Sequence, residues 1–265
     1  MKVIKASGIE QKFSSRKIYS SIMEAGGSKE LASKALSEVR KNYHKEITTQ
    51  EILNIILKTL REDPGVAMRY DLKRAIMSLG PSGFPFETFF GNLLKYYGYK
   101  IKIGNKIKGK VIIHEVDIIA EKERKYMIEC KYHNEIGTRT KLKPALYTYA
   151  RFLDLKKYFD RPWLVTNTKC SLDAKNYAKG VGLKITGWNY PRNGNLKELI
   201  QAKKLYPITI LKTINNEVKE KLFNSKIVIA KNLQNYSISE LKEKTGLNEK
   251  EINKILEEVK EVCAD

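Results

Sequence analysis

The sequence predicts a multi-domain α/β chain: a helical N-terminal unit, a central mixed β-sheet flanked by helices, and a small helical C-terminal unit. Three observations carry this. The chain has 265 residues, more than one small domain needs, and 42% of them are apolar, enough for real cores. The segment LGPSGFPF, residues 79–86, concentrates two Pro and two Gly and marks the clearest boundary. Before it the apolar spacing is helical; after it helical and alternating segments interleave.

In the first unit, VIKA and EQKF flank Ser7-Gly8 and read as a short hairpin. Ser14 or Ser15 caps a helix running to about Ala25, where Gly26-Gly27 stops it. Ser28 opens a second helix, to about Asn42. Thr48 or Thr49 caps a third, TQEILNIILKTLRE, with Glu51 placed for a capping box if Thr48 is the cap. A fourth helix follows Pro64 and includes AMRYDLKRAIMSL. The second unit runs as helix FETFFGNLLKYYG, strand YKIKI, a hairpin, helix LKPALYTYARFLDLKKY, strand PWLVTN, helix SLDAKNYAKGVG and strand LKITGW. Past Tyr206 the pattern is helical, ending in two helices joined at Thr245-Gly246-Leu247. The expected division is 1–80, 84–202 and 205–265.

Fifty Lys and Arg against thirty Asp and Glu leave a formal charge of +20. Such an excess repels itself in a compact fold and favours a polyanionic partner, although a general Lys-rich bias gives the same total. Nucleic acid is favoured over a membrane surface, because no basic amphipathic helix with a wide apolar face is apparent. No apolar run approaches the roughly 18 residues of a membrane span, and MKVIKASGIE lacks the apolar stretch of a signal peptide. The three cysteines, Cys130, Cys170 and Cys263, are far apart, which argues against disulfides or structural zinc and for a reducing cytoplasm.

The hairpin carries the chemistry. HEVDIIA and KYMIECKYH flank a charged turn, and pairing Asp117 with Glu129 centres the hairpin on Glu123. Alternation then puts Val116, Ile118, Ile128 and Cys130 on one face and Asp117, Glu129 and Lys131 on the other. Opposed carboxylates destabilise a strand pair unless something compensates. A divalent cation does so, and oxygen-only ligands suit Mg²⁺ or Mn²⁺. Lys131 adds an ammonium beside them, which completes a set suited to phosphodiester hydrolysis. The plainer alternative is an exposed polar face in which Lys131 pairs with one acid. His133 shares the face of Lys131, as a phosphate contact or an ordinary strand residue; His114 faces away from Asp117, and Cys130 faces the core. Arg139, Lys141 and Lys143 either track a DNA backbone or form a solvated loop.

FETFFGNLLKYYGY, HEVDIIA, YMIECKYH and WLVTN resemble the Mrr-type catalytic domain of the PD-(D/E)XK restriction-endonuclease-like superfamily. The resemblance implies a Mg²⁺-dependent (or Mn²⁺-dependent) endodeoxyribonuclease of the type IV restriction kind acting on DNA. It assigns Asp117 and Glu129 as metal ligands with the backbone carbonyl of Cys130, Lys131 as the catalytic lysine, and Glu87 as the acid supplied by the preceding helix. A favourable first-turn acid is the other reading of Glu87.

The N-terminal unit holds a second anomaly. Arg16 and Lys17 fall in the first turn of a helix, where the macrodipole disfavours cations. A bound anion relieves this, with Lys5 and Lys12 contributing; a generic basic surface is the alternative. VIK at 3–5, Gly8, Phe13, Lys17-Ile18, ITTQEI at 47–52, Tyr70 and Arg74-Ala75 resemble, as an ordered set, the ATP-cone family. That resemblance implies regulatory binding of ATP or dATP, lined by Val3, Lys5, Lys17, Ile18 and Thr49. No GxxxxGK[ST] occurs, so hydrolysis is not expected. The C-terminal pair has helix-turn-helix proportions, with Ile238, Leu241, Leu247, Ile252, Ile255 and Leu256 packing it. Its last helix is acidic, which favours packing or a homodimer contact over DNA. The chain therefore reads as a cytoplasmic nuclease regulated by adenine nucleotide, or as a nucleotide-responsive DNA-binding regulator whose nuclease fold is silent.

Overall fold

The computed structural model describes residues 1–6 and 8–264. β1 (Lys2–Ile4) and β2 (Glu10–Lys12) pair antiparallel, with Val3 opposite Gln11. Ser7 of the expected Ser7-Gly8 turn lies outside the described residues; Gly8 has φ +74°, a left-handed conformation that costs glycine nothing. Helices α1 (Ser15–Glu24), α2 (Lys29–Lys41) and α3 (Thr49–Thr59) are capped by Ser14, Ser28 and Thr48, and Thr48 with Glu51 makes the full capping box. The single helix expected after Pro64 is two, α4 (Pro64–Tyr70) and α5 (Leu72–Met77). They break at Asp71, whose carboxylate accepts from the Arg74 guanidinium at 2.7, 3.0 and 2.7 Å. A short carboxylate that bonds locally competes with continuous helix, and here it wins. Ile22, Ala32, Ala35, Val39, Ile56 and Leu60 help to close a core belonging to this unit.

Next come α6 (Phe84–Tyr96), β3 (Lys100–Lys108), β4 (Ile113–Glu121), β5 (Lys125–Lys131), β6 (Arg139–Thr140), α7 (Leu142–Leu155), β7 (Arg161–Thr166), β8 (Lys169–Cys170), α8 (Leu172–Val181) and β9 (Lys184–Thr186). Five of the strands form one sheet in the order β3-β4-β5-β7-β9, antiparallel from β3 to β5 and parallel from β5 to β9. The short β6 and β8 pair in parallel beside it. Trp163, Leu164 and Val165 are all buried, as a parallel strand covered on both faces requires. Phe86, Phe89 and Phe90 of α6 share one face with Ile118, Ile128 and Trp163, and Phe90 meets Trp163 edge-on with ring centroids 5.6 Å apart. On the opposite face lie Phe152 and Leu155 of α7 with Met127, and Ala174 and Ala178 of α8 with Leu164. The result is a three-layer mixed sheet, as expected.

α9 (Leu196–Ala202), α10 (Asn216–Asn224), α11 (Ile238–Thr245) and α12 (Glu249–Cys263) complete the chain. Leu241, Leu247, Ile252 and Ile255 are buried, with Ile238 and Leu256 packed against them. Their core is continuous with α5 and α6 rather than separate. Arg69 of α4 donates to the carbonyls of Glu261 and Val262 at 3.2 and 3.4 Å, and the Thr209 hydroxyl donates to the Ala75 carbonyl at 2.6 Å. The last unit thus ties the first two together. Among the described residues no helix is long and apolar enough to cross a membrane.

Candidate active site

β5 is the middle strand of the sheet, and its C-terminal end carries Glu129 and Lys131. The β4–β5 register sets Ile118 opposite Ile128, so the next position brings Asp117 to Glu129. The backbone ladder stops at that point. Asp117 Oδ2 instead accepts the Cys130 N–H at 2.7 Å, a side chain standing in for the next ladder carbonyl. Gly104 on β3, at φ +65°, lies opposite Asp117, and the β3–β4 ladder skips this pair. Such an interruption re-aims side chains. Ile118, Ile128 and Cys130 do pack on the α6 side, but Val116 joins the α7 side with Phe152 and Leu155. The four apolar neighbours therefore do not share one face as expected, because the alternation breaks at Asp117.

Repulsion from Asp117 reaches both Glu129 and Glu87. Burial, then repulsion from Asp117, raises the Glu129 carboxyl to about 7, against relief from Arg151. Burial, then Asp117 and Glu115, raises Glu87 in the first turn of α6 to about 7. Asp117 is also raised, by burial first, with the Cys130 N–H and Arg151 opposing. Lys131 lies exposed at the strand end, where its charge lowers the proton affinity of Glu129. The Cys130 thiol is driven well above its ordinary range by burial, so it is no nucleophile.

Arg151 of α7, which sequence reasoning missed, forms an ion pair with Glu129. Only 8% of its side chain is exposed, and its buried Nε has no hydrogen-bond partner among the described residues. The available signal was a cation within the stripe Ala145, Thr148, Phe152 and Leu155, which α7 buries. Among the described residues no three His, Cys, Asp or Glu side chains form a metal cage. The donor chemistry nonetheless fits a hard divalent cation: oxygen ligands, mutual repulsion and raised proton affinity, offset in part by Arg151, the Cys130 N–H and Lys131. His133 lies just past β5, its ring 3.0 Å from the Thr140 hydroxyl and its backbone N–H donating to Asn167 Oδ1 at 2.9 Å. His114 meets Asp154 of α7 at 2.8 Å and latches the hairpin.

The N-terminal unit encloses a cavity of about 560 Å³. Val3, Lys5, Lys17, Ile18 and Thr49 all line it. β1 supplies Val3, the chain just past it Lys5, and the starts of α1 and α3 the other three. Apolar Ile52, Leu53 and Ile56 complete a wall suited to a flat ring, with Lys5, Lys17 and Lys73 available to an anion. Lys12 lines it as well.

The fold and these two sites define a restriction-endonuclease-type domain joined to a nucleotide-binding-type domain. Residues 1–76 match the ATP cone domain, residues 80–192 the restriction endonuclease domain, and residues 206–263 the AF1548-like C-terminal domain. An uncharacterized protein of Archaeoglobus fulgidus is 42% identical over 172 residues, which is 64% of this chain and 97% of that protein. The crystal structure of AF1548, a protein of unknown function, superposes with a TM-score of 0.63 at 40% identity, covering 69% of this chain and 98% of that one. The chain belongs to the AF1548-like family.

Proposed function

We propose that this protein is a divalent-metal-dependent DNA endonuclease whose activity responds to ATP or dATP in the cone. The observation that carries the reading is the register that brings Asp117 to Glu129 at the end of the central strand, with Lys131 two residues on and Glu87 within electrostatic reach. Asp117 and Glu129 would hold Mg²⁺ or Mn²⁺, with the Cys130 carbonyl and Glu87 beside them. When bound, the ion supplies Lewis-acid activation of the scissile phosphate and of a water molecule. Lys131 projects an ammonium from the same strand end, suited to the charge that builds on phosphorus. The Asp117 carboxylate is oriented by the Cys130 N–H, so its aim depends on the backbone of β5. Exposed Lys141 and Lys143 follow the strand and suit a phosphate backbone.

A second reading, a nucleotide-responsive DNA-binding regulator, is favoured by one fact: Glu129 is already ion-paired with Arg151. Cleavage of plasmid, linear and branched DNA, with and without Mg²⁺ or Mn²⁺ and ATP, separates the two. Asp117→Ala and Lys131→Ala are expected to lower the cleavage rate by about 10²-fold or more while DNA binding stays within a factor of about three. Binding without cleavage by any form, under every condition, supports the regulator and ends the enzyme reading.

A further inference from the structure

The cone cavity does not end at the cone. A second cavity of about 510 Å³ adjoins it, and the two share Lys5, Ala6, Thr49, Lys73 and Ile136. Ile136 belongs to the nuclease domain, in the loop between β5 and β6, and it is 53% exposed, as a residue projecting into a cleft would be. The second cavity is also lined by Arg139, Lys169 and the acid Glu135. In the β6–β8 pair Arg139 stands directly across from Lys169. Like charges placed opposite each other on neighbouring strands destabilise the pairing, so an anion between them would be favoured. The charges also reach across the domain boundary: the Lys169 ammonium is lowered by burial first, then by Lys5, Arg139 and Lys17. Among the described residues none of these four cations forms an ion pair with a carboxylate.

We infer that the nucleotide site is a composite of both domains: the cone holds the base end, while Arg139 and Lys169 of the nuclease domain complete the seat for the outer phosphates of a nucleoside triphosphate. This rests on reading the cone cavity as an adenine-nucleotide site. Its consequence is regulatory. Tyr132, the residue after Lys131, accepts the Gly80 N–H at 2.8 Å and donates to the Met77 carbonyl, so the strand end is already pinned to the end of α5. A triphosphate gripping the following loop would bias how Glu129 and Lys131 are presented. A monophosphate, too short to reach Arg139 and Lys169, would not.

Calorimetric titration of the full chain with ATP and AMP tests this. Wild type is expected to bind ATP more tightly than AMP. Arg139→Ala/Lys169→Ala should lose about tenfold in ATP affinity per cation removed and leave AMP within about twofold. Arg139→Lys/Lys169→Arg should recover most of the loss. Both residues are exposed, and a far-UV spectrum checks that each variant is folded. ATP should slow hydrogen exchange across residues 132–139 in wild type but not in the double alanine variant. Unchanged ATP affinity in that variant, alongside a loss in Lys17→Ala, overturns the composite site and leaves the cone reading standing. A wild type that binds neither ATP nor dATP overturns both.

Discussion

The two sites of this molecule handle charge in opposite ways. The cone gathers Lys5, Lys12, Lys17 and Lys73 around an open cavity with an apolar wall, and leaves that excess for an incoming anion. The nuclease domain gathers Glu87, Asp117 and Glu129 and balances them from within, through Arg151 and the Cys130 N–H. A site whose counter-charge arrives with the ligand is built to report on that ligand, since binding removes its repulsion. A site with its own counter-charge holds its shape while waiting, and a cation must compete with the guanidinium for the same carboxylate. The difference sets an anion-ready cavity in the cone against an internally balanced acidic site in the sheet.

Breaking the internal balance should have the largest effect. Arg151→Met keeps much of the packing volume on α7 and removes the partner of a carboxylate whose side chain is only 18% exposed. Removing one member of a buried pair costs up to about 3 kcal/mol where the other stays charged. Glu129, already raised to about 7, can take a proton instead, so the loss is smaller at neutral pH and grows as pH rises. The expected outcome with EDTA is a loss in urea denaturation that follows this trend. Mg²⁺ or Mn²⁺ should restore more stability to the variant than it adds to wild type. Equal stabilisation of both proteins by the metal would mean that guanidinium and cation do not share Glu129.

The intermediate effect lies in the cone. Lys17→Ala removes one cation from the cavity at the first turn of α1, where the helix already favours an anion. ATP affinity should fall about tenfold, or about 1.4 kcal/mol, while the urea midpoint rises slightly, because a cation leaves a helix start that disfavours it. Titration of the folded variant with ATP checks this, and undiminished affinity would take Lys17 out of the site.

Local signals survived from sequence to structure, and long-range ones did not. Ser14, Ser28 and Thr48 are the caps they promise to be, because a cap is settled within four residues. The Asp117–Glu129 register was legible because the hairpin turn fixes it and a slip would expose Ile118 and Ile128. The five cone residues line one cavity. Arg151 was not legible, since its partner lies 22 positions away on another element. Nor was the break in β4, which depends on Gly104 across the sheet. The β6–β8 pair escaped for the same reason: two-residue strands carry no periodicity, and their pairing exists only in three dimensions. The helix break at Asp71 is a case where helical spacing outvoted a local carboxylate signal that was present all along.

The smallest expected effect is a fraction of a proton, yet it bears most directly on the contrast between the sites. Lys73 lines both cavities, its ammonium donates to the Asn167 carbonyl, and it sits 4.6 Å from the centre of the Trp188 ring. Burial first, then Lys169, lowers its pKa from the usual 10.5 to about 7. A base whose folded pKa lies below its unfolded value weakens the fold when charged. The penalty is complete below pH 7 and is relieved as pH rises from about 7 towards 10.5, so this group alone makes stability increase over that window. A polyanion in the cavity reverses the preference and favours the charged ammonium. ATP binding near pH 8 should therefore draw a proton from the buffer. Calorimetry in Tris and in HEPES should give apparent enthalpies that differ by the difference in buffer ionisation heats times an uptake below one. The uptake should shrink from pH 8 towards pH 7, as Lys73 becomes charged before ATP arrives, and should be smaller in Lys73→Met than in wild type at pH 8. Identical enthalpies in both buffers at pH 8 would mean that Lys73 does not face the phosphates, and that the cone's excess charge is not held in reserve for its ligand.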